Sequence, residues 1–145
     1  MGGGPSDVVL APAPVALANV SGVLAADTVI GTTATTVLTT PVLPIGTYLV
    51  NFSGYVISIS GSDTVDVSIA QGTATATFAG PKSSDVNFTA GGGTLSFCCI
   101  ATLTQAGTLI FVAQAAGAAT TNTLKALDPV NAALPVTGYT AVKIA

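Results

Sequence analysis

Apolar and polar residues trade places at every second position through most of this chain, the period of a strand that buries one face and wets the other. Val65, Val67 and Ile69 alternate with Asp66 and Ser68, and after Gln71-Gly72 the small residues Ala74 and Ala76, then Phe78, alternate with Thr73, Thr75 and Thr77. That pattern predicts a hairpin turning at Gln71-Gly72. A second hairpin is expected where Leu95, Phe97, Cys99, Ala101 and Leu103 share a face, Gln105-Ala106-Gly107 turns, and residues 108–115 return. Its strands are apolar on both sides in places. Ile100 and Val112 lie opposite Phe97 and Phe111, which points to a core on one side and a subunit contact on the other.

Upstream, residues 47–59 read as one long strand with Tyr48, Val50 and Phe52 on one side. Gly54 within it marks the expected bend or bulge where the strand changes sheet. Residues 138–144 form a last strand opened by Gly138, and no segment longer than two turns carries a helical stripe. Short strands separated by Gly and Pro turns predict an all-β, antiparallel β-sandwich of about eight to ten strands, most simply a jelly roll. Residues 1–24 differ: Pro5, Pro12 and Pro14 disfavour a helix among Val8, Val9, Leu10, Val15 and Leu17. They read as an extended N-terminal arm lying along another subunit, ahead of a single domain over residues 25–145.

Composition turns this pattern towards assembly. Half of the 145 residues are hydrophobic, mostly Ala and Val, yet only 6% are charged, against about 25% in an ordinary domain. The charges are Lys82, Lys125, Lys143 and six aspartates, with no Arg, Glu or His. A surface so poor in charge is weakly protected from self-association, so much of it is expected to be covered. Three scattered lysines and a net charge of −3 argue against nucleic acid as a partner. No apolar run approaches the roughly 20 residues of a spanning helix, which argues against a membrane, and the first residues lack the basic start of a secretory signal.

Candidate chemistry is thin. Without His the usual general base and metal ligand are missing, and without Glu and Arg most acid–base and phosphoryl-transfer schemes fail. A Ser-Lys pair is formally possible, but nothing in the sequence places a serine beside a lysine. Cys98 and Cys99 are adjacent, so in a strand they point to opposite faces and read as two small hydrophobes. Leu134-Pro135-Val136-Thr137-Gly138 matches the LPxTG sorting pentapeptide, yet only seven residues follow it, and it reads as a loop ending at the glycine of the last strand. Asp63 and Asp66 are the nearest carboxylate pair; three apart in a strand, they face opposite ways, and they read as solvated turn residues rather than a cation site. Residues 90–93, Ala-Gly-Gly-Gly, read as a flexible connector, since no helix follows to make a phosphate loop. The expectation is a protein that is not an enzyme and uses no cofactor or metal.

One segment carries a resemblance. Pro44-Ile45-Gly46-Thr47-Tyr48-Leu49-Val50-Asn51-Phe52 resembles the strand of C1q/TNF-like jelly rolls in which a glycine turn feeds a central strand with Tyr, Val and Phe at alternate positions. Residues 98–112 look like the penultimate long hairpin of that family, and residues 139–144 like its terminal strand, which returns to the middle of the inner sheet. The resemblance implies a compact homotrimer with aromatic and aliphatic side chains on its axial surface, and hence Tyr48, Phe97, Phe111 and Tyr139 as subunit-interface residues. The Thr/Ala/Gly-rich style looks most like bacteriophage virion proteins, such as capsid decoration trimers, which implies a place in the virion, assembled in the host cytoplasm, against a major capsid or tail protein. Two alternatives share the resemblance: a minor tail or fibre module binding the host surface, with Tyr48, Tyr55 and Tyr139 as stacking platforms, and a bacterial coat or filament subunit. The Gly-x-y stalk of several relatives is absent, which speaks against a long fibre.

Overall fold

The computed structural model describes residues 19–117 and 121–145. Its strands in chain order are β1 (Asn19–Val23), β2 (Thr28–Ile30), β3 (Thr35–Thr39), β4 (Gly46–Gln71), β5 (Thr75–Ala79), β6 (Ser83–Gln105), β7 (Leu109–Ala115), β8 (Asn122–Leu124) and β9 (Gly138–Lys143). Every pairing is antiparallel, and the strands make two layers, so the all-β sandwich expected from the alternation holds. Among the described residues no helix is long and apolar enough to cross a membrane.

β4 and β6 organise the molecule. They pair along almost their whole lengths, from Gly46↔Leu103 to Ser68↔Ser83, and each contributes one half to each layer. The other edge of β4 meets β9, then β8, then β7. The first layer therefore runs β1-β9-β4-β6-β5, and the second runs β3-β7-β4-β6 through the far halves of the long strands. The last strand enters the middle of the first layer, between β1 and β4. Residues 1–18 of the expected arm lie outside the described residues; Asn19–Val23, read as the end of that arm, is the edge strand β1.

The ribbon folds over later than Gly54. Gly54 stays in register opposite Leu95, and the register shifts between Ser58 and Ser62 instead. Gly54 points inwards, where a methyl group would stand 3.1 Å from the Phe52 ring and 3.4 Å from Leu124, so its smallness makes room for those side chains. The residues read as a flexible connector are part of the same ribbon: Gly91, Gly92 and Gly93 lie within β6, opposite Ser58, Ile57 and Val56. Gly91 has a positive φ of 103°, and a Cβ at Gly92 would lie 2.3 Å from the Tyr55 hydroxyl, so this glycine run fits the ribbon at its fold.

Both expected hairpins are arches between layers. β5 pairs with β6 rather than with the end of β4, and β7 pairs with β3 and β4 rather than with β6. The two turns bind each other: the Gly72 and Ala74 amides donate to the Thr108 carbonyl at 2.9 and 3.1 Å, and the Thr73 and Thr108 hydroxyls lie 3.2 Å apart. Gly107 is pressed into this junction, where a Cβ would come within 2.3 Å of the Ala74 nitrogen. Alternation fixes which face of a strand is apolar, and that face can be buried equally well by a neighbour in the same sheet or by the facing sheet.

The core lies between the layers. Phe52, Phe97 and Tyr139 reach in from the first layer and Phe111 from the second; Phe52 lies 5.3 Å from Phe97 and 5.4 Å from Phe111, and Phe111 lies 5.0 Å from Tyr139, between ring centroids. Tyr48, also fully buried, donates its hydroxyl to the Pro44 carbonyl at 2.8 Å, so the polar end of the ring closes the turn that starts β4.

Candidate interaction surface

The four residues expected at a subunit interface are core residues. Tyr48 and Phe111 are completely buried and Phe97 and Tyr139 nearly so, all within one chain. In the single chain they have little surface to offer a partner, Phe97 and Tyr139 keeping a small part of theirs where they line a cleft on the first layer. Burial pushes the Tyr48 and Tyr139 phenols above their ordinary range. Of the three tyrosines considered as stacking platforms, only Tyr55 is half-buried rather than buried.

Other candidates are resolved in the same way. Asp63 and Asp66 do face opposite sides of β4, but Asp63 is no solvated turn residue. It is buried, and its carboxylate accepts from the Thr64 and Gly117 amides, both at 2.8 Å, and from the Asn122 side-chain amide at 2.7 Å. Asp66 stands on the outer face of the second layer, directly across from Asp85 and next to Gln114. Partial burial, and then the Asp85 charge, raise its pKa. Lys125 pairs with Asp27, whose pKa is lowered by that hydrogen bond and by the Ala126 amide. Lys82 is exposed, and Lys143 lies at the end of β9 beside Gly46. No group of three or more His, Cys, Asp or Glu residues is gathered among the described residues.

Cys99 is buried and Cys98 exposed, so the adjacent thiols take opposite faces as strand geometry requires. Burial, with Cys98 next to it, pushes the Cys99 thiol up to about 11. The LPxTG-like segment is a loop. Thr137 is buried with its carbonyl accepting from Leu24 at 2.9 Å and its hydroxyl from the Tyr55 amide at 3.3 Å, and Gly138 opens β9.

What remains is surface. The outward positions of the first layer are Ser, Thr, Asn, Cys, Gly, Ala, Val, Leu, Ile and Tyr, and none of the described ones is charged. Across this face Val142, Leu49, Ile100 and Ala79 stand side by side on β9, β4, β6 and β5, an apolar stripe in register. A shallow cleft of about 700 Å³ lies beside the stripe, walled by the loop before β9; its polar lining includes Ser21, Asn51, Ser53, Ser96, Cys98 and Thr140. Those groups are neutral hydroxyls, an amide and a thiol, with no carboxylate or amine among the lining residues. Ile100, singled out from the sequence for lying opposite Phe97, is on this face with 39% exposure; Val112, singled out with it, lies on the outer face of the second layer.

Other exposed apolar side chains gather away from the strands. Val42, Ile45 and Ile144 lie at the end of the sandwich where β4 begins, and Leu127, Val130 and Leu134 lie on the loop before β9, Val130 at 96% exposure. In comparisons with protein-family models and with curated proteins, the chain matches none.

Proposed function

We propose that this chain is a non-enzymatic structural subunit that works by packing against copies of itself, as a homotrimer. The observation that carries the reading is the pairing of scarce charge with exposed apolar side chains. The whole chain holds nine charged residues, while Val42, Ile45 and Ile144 at one end, and Val130 and Leu134 on the loop before β9, face solvent. Interfaces that remove such side chains from water gain about 25 cal/mol per Å² of apolar area, and the absence of charge lowers the desolvation cost.

Threefold association is the arrangement implied by the resemblance to C1q/TNF-like jelly rolls. The strand order bears on the two-layered sandwich, in which β4 and β6 serve both layers and the chain crosses between layers at residues 72–74 and 106–108, and the threefold arrangement rests on the resemblance. Within this reading the place we propose is the outside of a bacteriophage capsid, as a decoration protein bound to the major capsid protein and strengthening the shell by added buried area. The tail-module alternative loses two of its three stacking platforms to the core, since Tyr48 and Tyr139 are buried. Copy number tests the placement: a decoration protein is present in hundreds per particle on a quantitative gel, and a handful per particle overturns it.

A further inference from the structure

The proposed function requires contacts between copies, and the two broad faces of the sandwich are not equivalent candidates for them. The second layer's outer face carries the half-buried Asp66 and the exposed Asp85, adjacent and of like charge, among Thr64, Ser68, Asn87 and Gln114. Pressing that face against a partner would desolvate two carboxylates for which the described residues offer no lysine partner across the strands. The first layer offers a five-stranded face of about twenty outward residues, the size of one side of a standard specific interface. None of those described is charged, and the Val142-Leu49-Ile100-Ala79 stripe crosses it from β9 to β5.

The partner follows from the same accounting. A surface that buries the stripe well has to be uncharged itself, or it strands a charge against apolar side chains. Of the two broad faces of this molecule only the strands of the first layer's outer face meet that condition; the carboxylate nearest them, Asp128, stands on the loop before β9 and shares a cleft with Ser53, Tyr55, Thr94 and Ser96, at the opposite end of the face from the stripe. The geometry points to an isologous contact, in which this face packs on the same face of a second copy about a twofold axis. Resting on the self-assembly reading above, it adds a twofold contact to the proposed trimer and makes an assembly of paired subunits. In a twofold contact, residues near the middle of the face meet their own counterparts. Cys98 lies there, opposite Asn51 and two residues from Ile100, and its thiol is exposed in the single chain.

Two measurements on the full chain test this. A short bis-maleimide should link assembled wild-type protein into covalent pairs through Cys98, with the buried Cys99 unreactive, and C98S should abolish the pairs. Ile100→Asp should weaken association at least tenfold by light scattering while the circular dichroism of the folded chain is kept; Asn87→Asp, on the exposed part of the second layer, should change neither. If Ile100→Asp fails to fold, the cross-link decides. An assembled protein that gives no Cys98 pairs, or an Ile100→Asp variant that assembles like wild type, overturns the face while leaving self-assembly standing. A wild-type chain that is single at every concentration overturns both.

Discussion

Phe97 and Phe111 meet across the sandwich with their ring centroids 6.3 Å apart, one from each layer. Phe52 and Tyr139 complete the cluster around Phe111, which is fully buried. Phe111→Ala empties the centre of this packing, and a buried Phe truncated in this way costs about 3–5 kcal/mol. Urea unfolding followed by circular dichroism should show the midpoint falling accordingly, and a loss below about 1 kcal/mol would mean that the rings do not pack as described.

Asp63 binds the segment after β7 to β4. Its carboxylate takes the amides of Thr64 and Gly117 and the side chain of Asn122. Asp63→Ala leaves buried donors without this acceptor, at a cost of about 2–4 kcal/mol. Amide hydrogen exchange checks the location: Gly117 and the strand β8 should lose protection well before β4 and β6.

Asp66 and Asp85 predict a pH dependence of one sign. The Asp66 pKa is raised in the folded chain, first by burial and then by the Asp85 charge. The folded state therefore holds this proton more tightly than the unfolded one. That favourable contribution is complete below the unfolded value near 3.9 and is lost as pH rises through the folded pKa, leaving a repulsive pair at neutral pH. Asp66→Asn should raise stability at pH 7 and lose that advantage at pH 3. Equal gains at both pH values would contradict the pairing.

Gly107 seals the junction of the two arches. A Cβ there meets Ala74 and Thr73 backbone atoms at 2.3 to 2.6 Å, which no rotamer can relieve. Gly107→Ala should cost about 1–3 kcal/mol by overpacking, more than Gly31→Ala, whose Cβ meets nothing within 4 Å. Thermal melts of the two variants side by side read the difference.

The sequence carried the faces of the strands and little about their partners. Val65, Val67 and Ile69 are buried, and so are Leu95, Phe97, Cys99, Ala101 and Leu103, as alternation required. Gly138 opens the last strand, and Cys98 and Cys99 part to opposite faces. The turns at Gln71-Gly72 and residues 105–107 were misread as hairpins because an arch and a hairpin share the same alternation. Only the contact between the two turns, through Gly72, Thr73, Ala74 and Thr108, separates them, and it joins residues more than thirty positions apart. The resemblance implies an interface for Tyr48, Phe97, Phe111 and Tyr139, and the alternation does not place Phe111 in a core by itself, because Ile110 and Val112 beside it are apolar too. The uncharged face was hidden for a different reason. Its stripe takes Val142, Leu49, Ile100 and Ala79 from four distant strands, and becomes a stripe only once their register is known.

Self-association is the claim on which the functional account stands, and sedimentation equilibrium of the full chain at neutral pH, across a hundredfold range of concentration, tests it most directly. The account predicts a discrete species of three or more chains that persists into the micromolar range. A single 14.0 kDa chain at every concentration would contradict it.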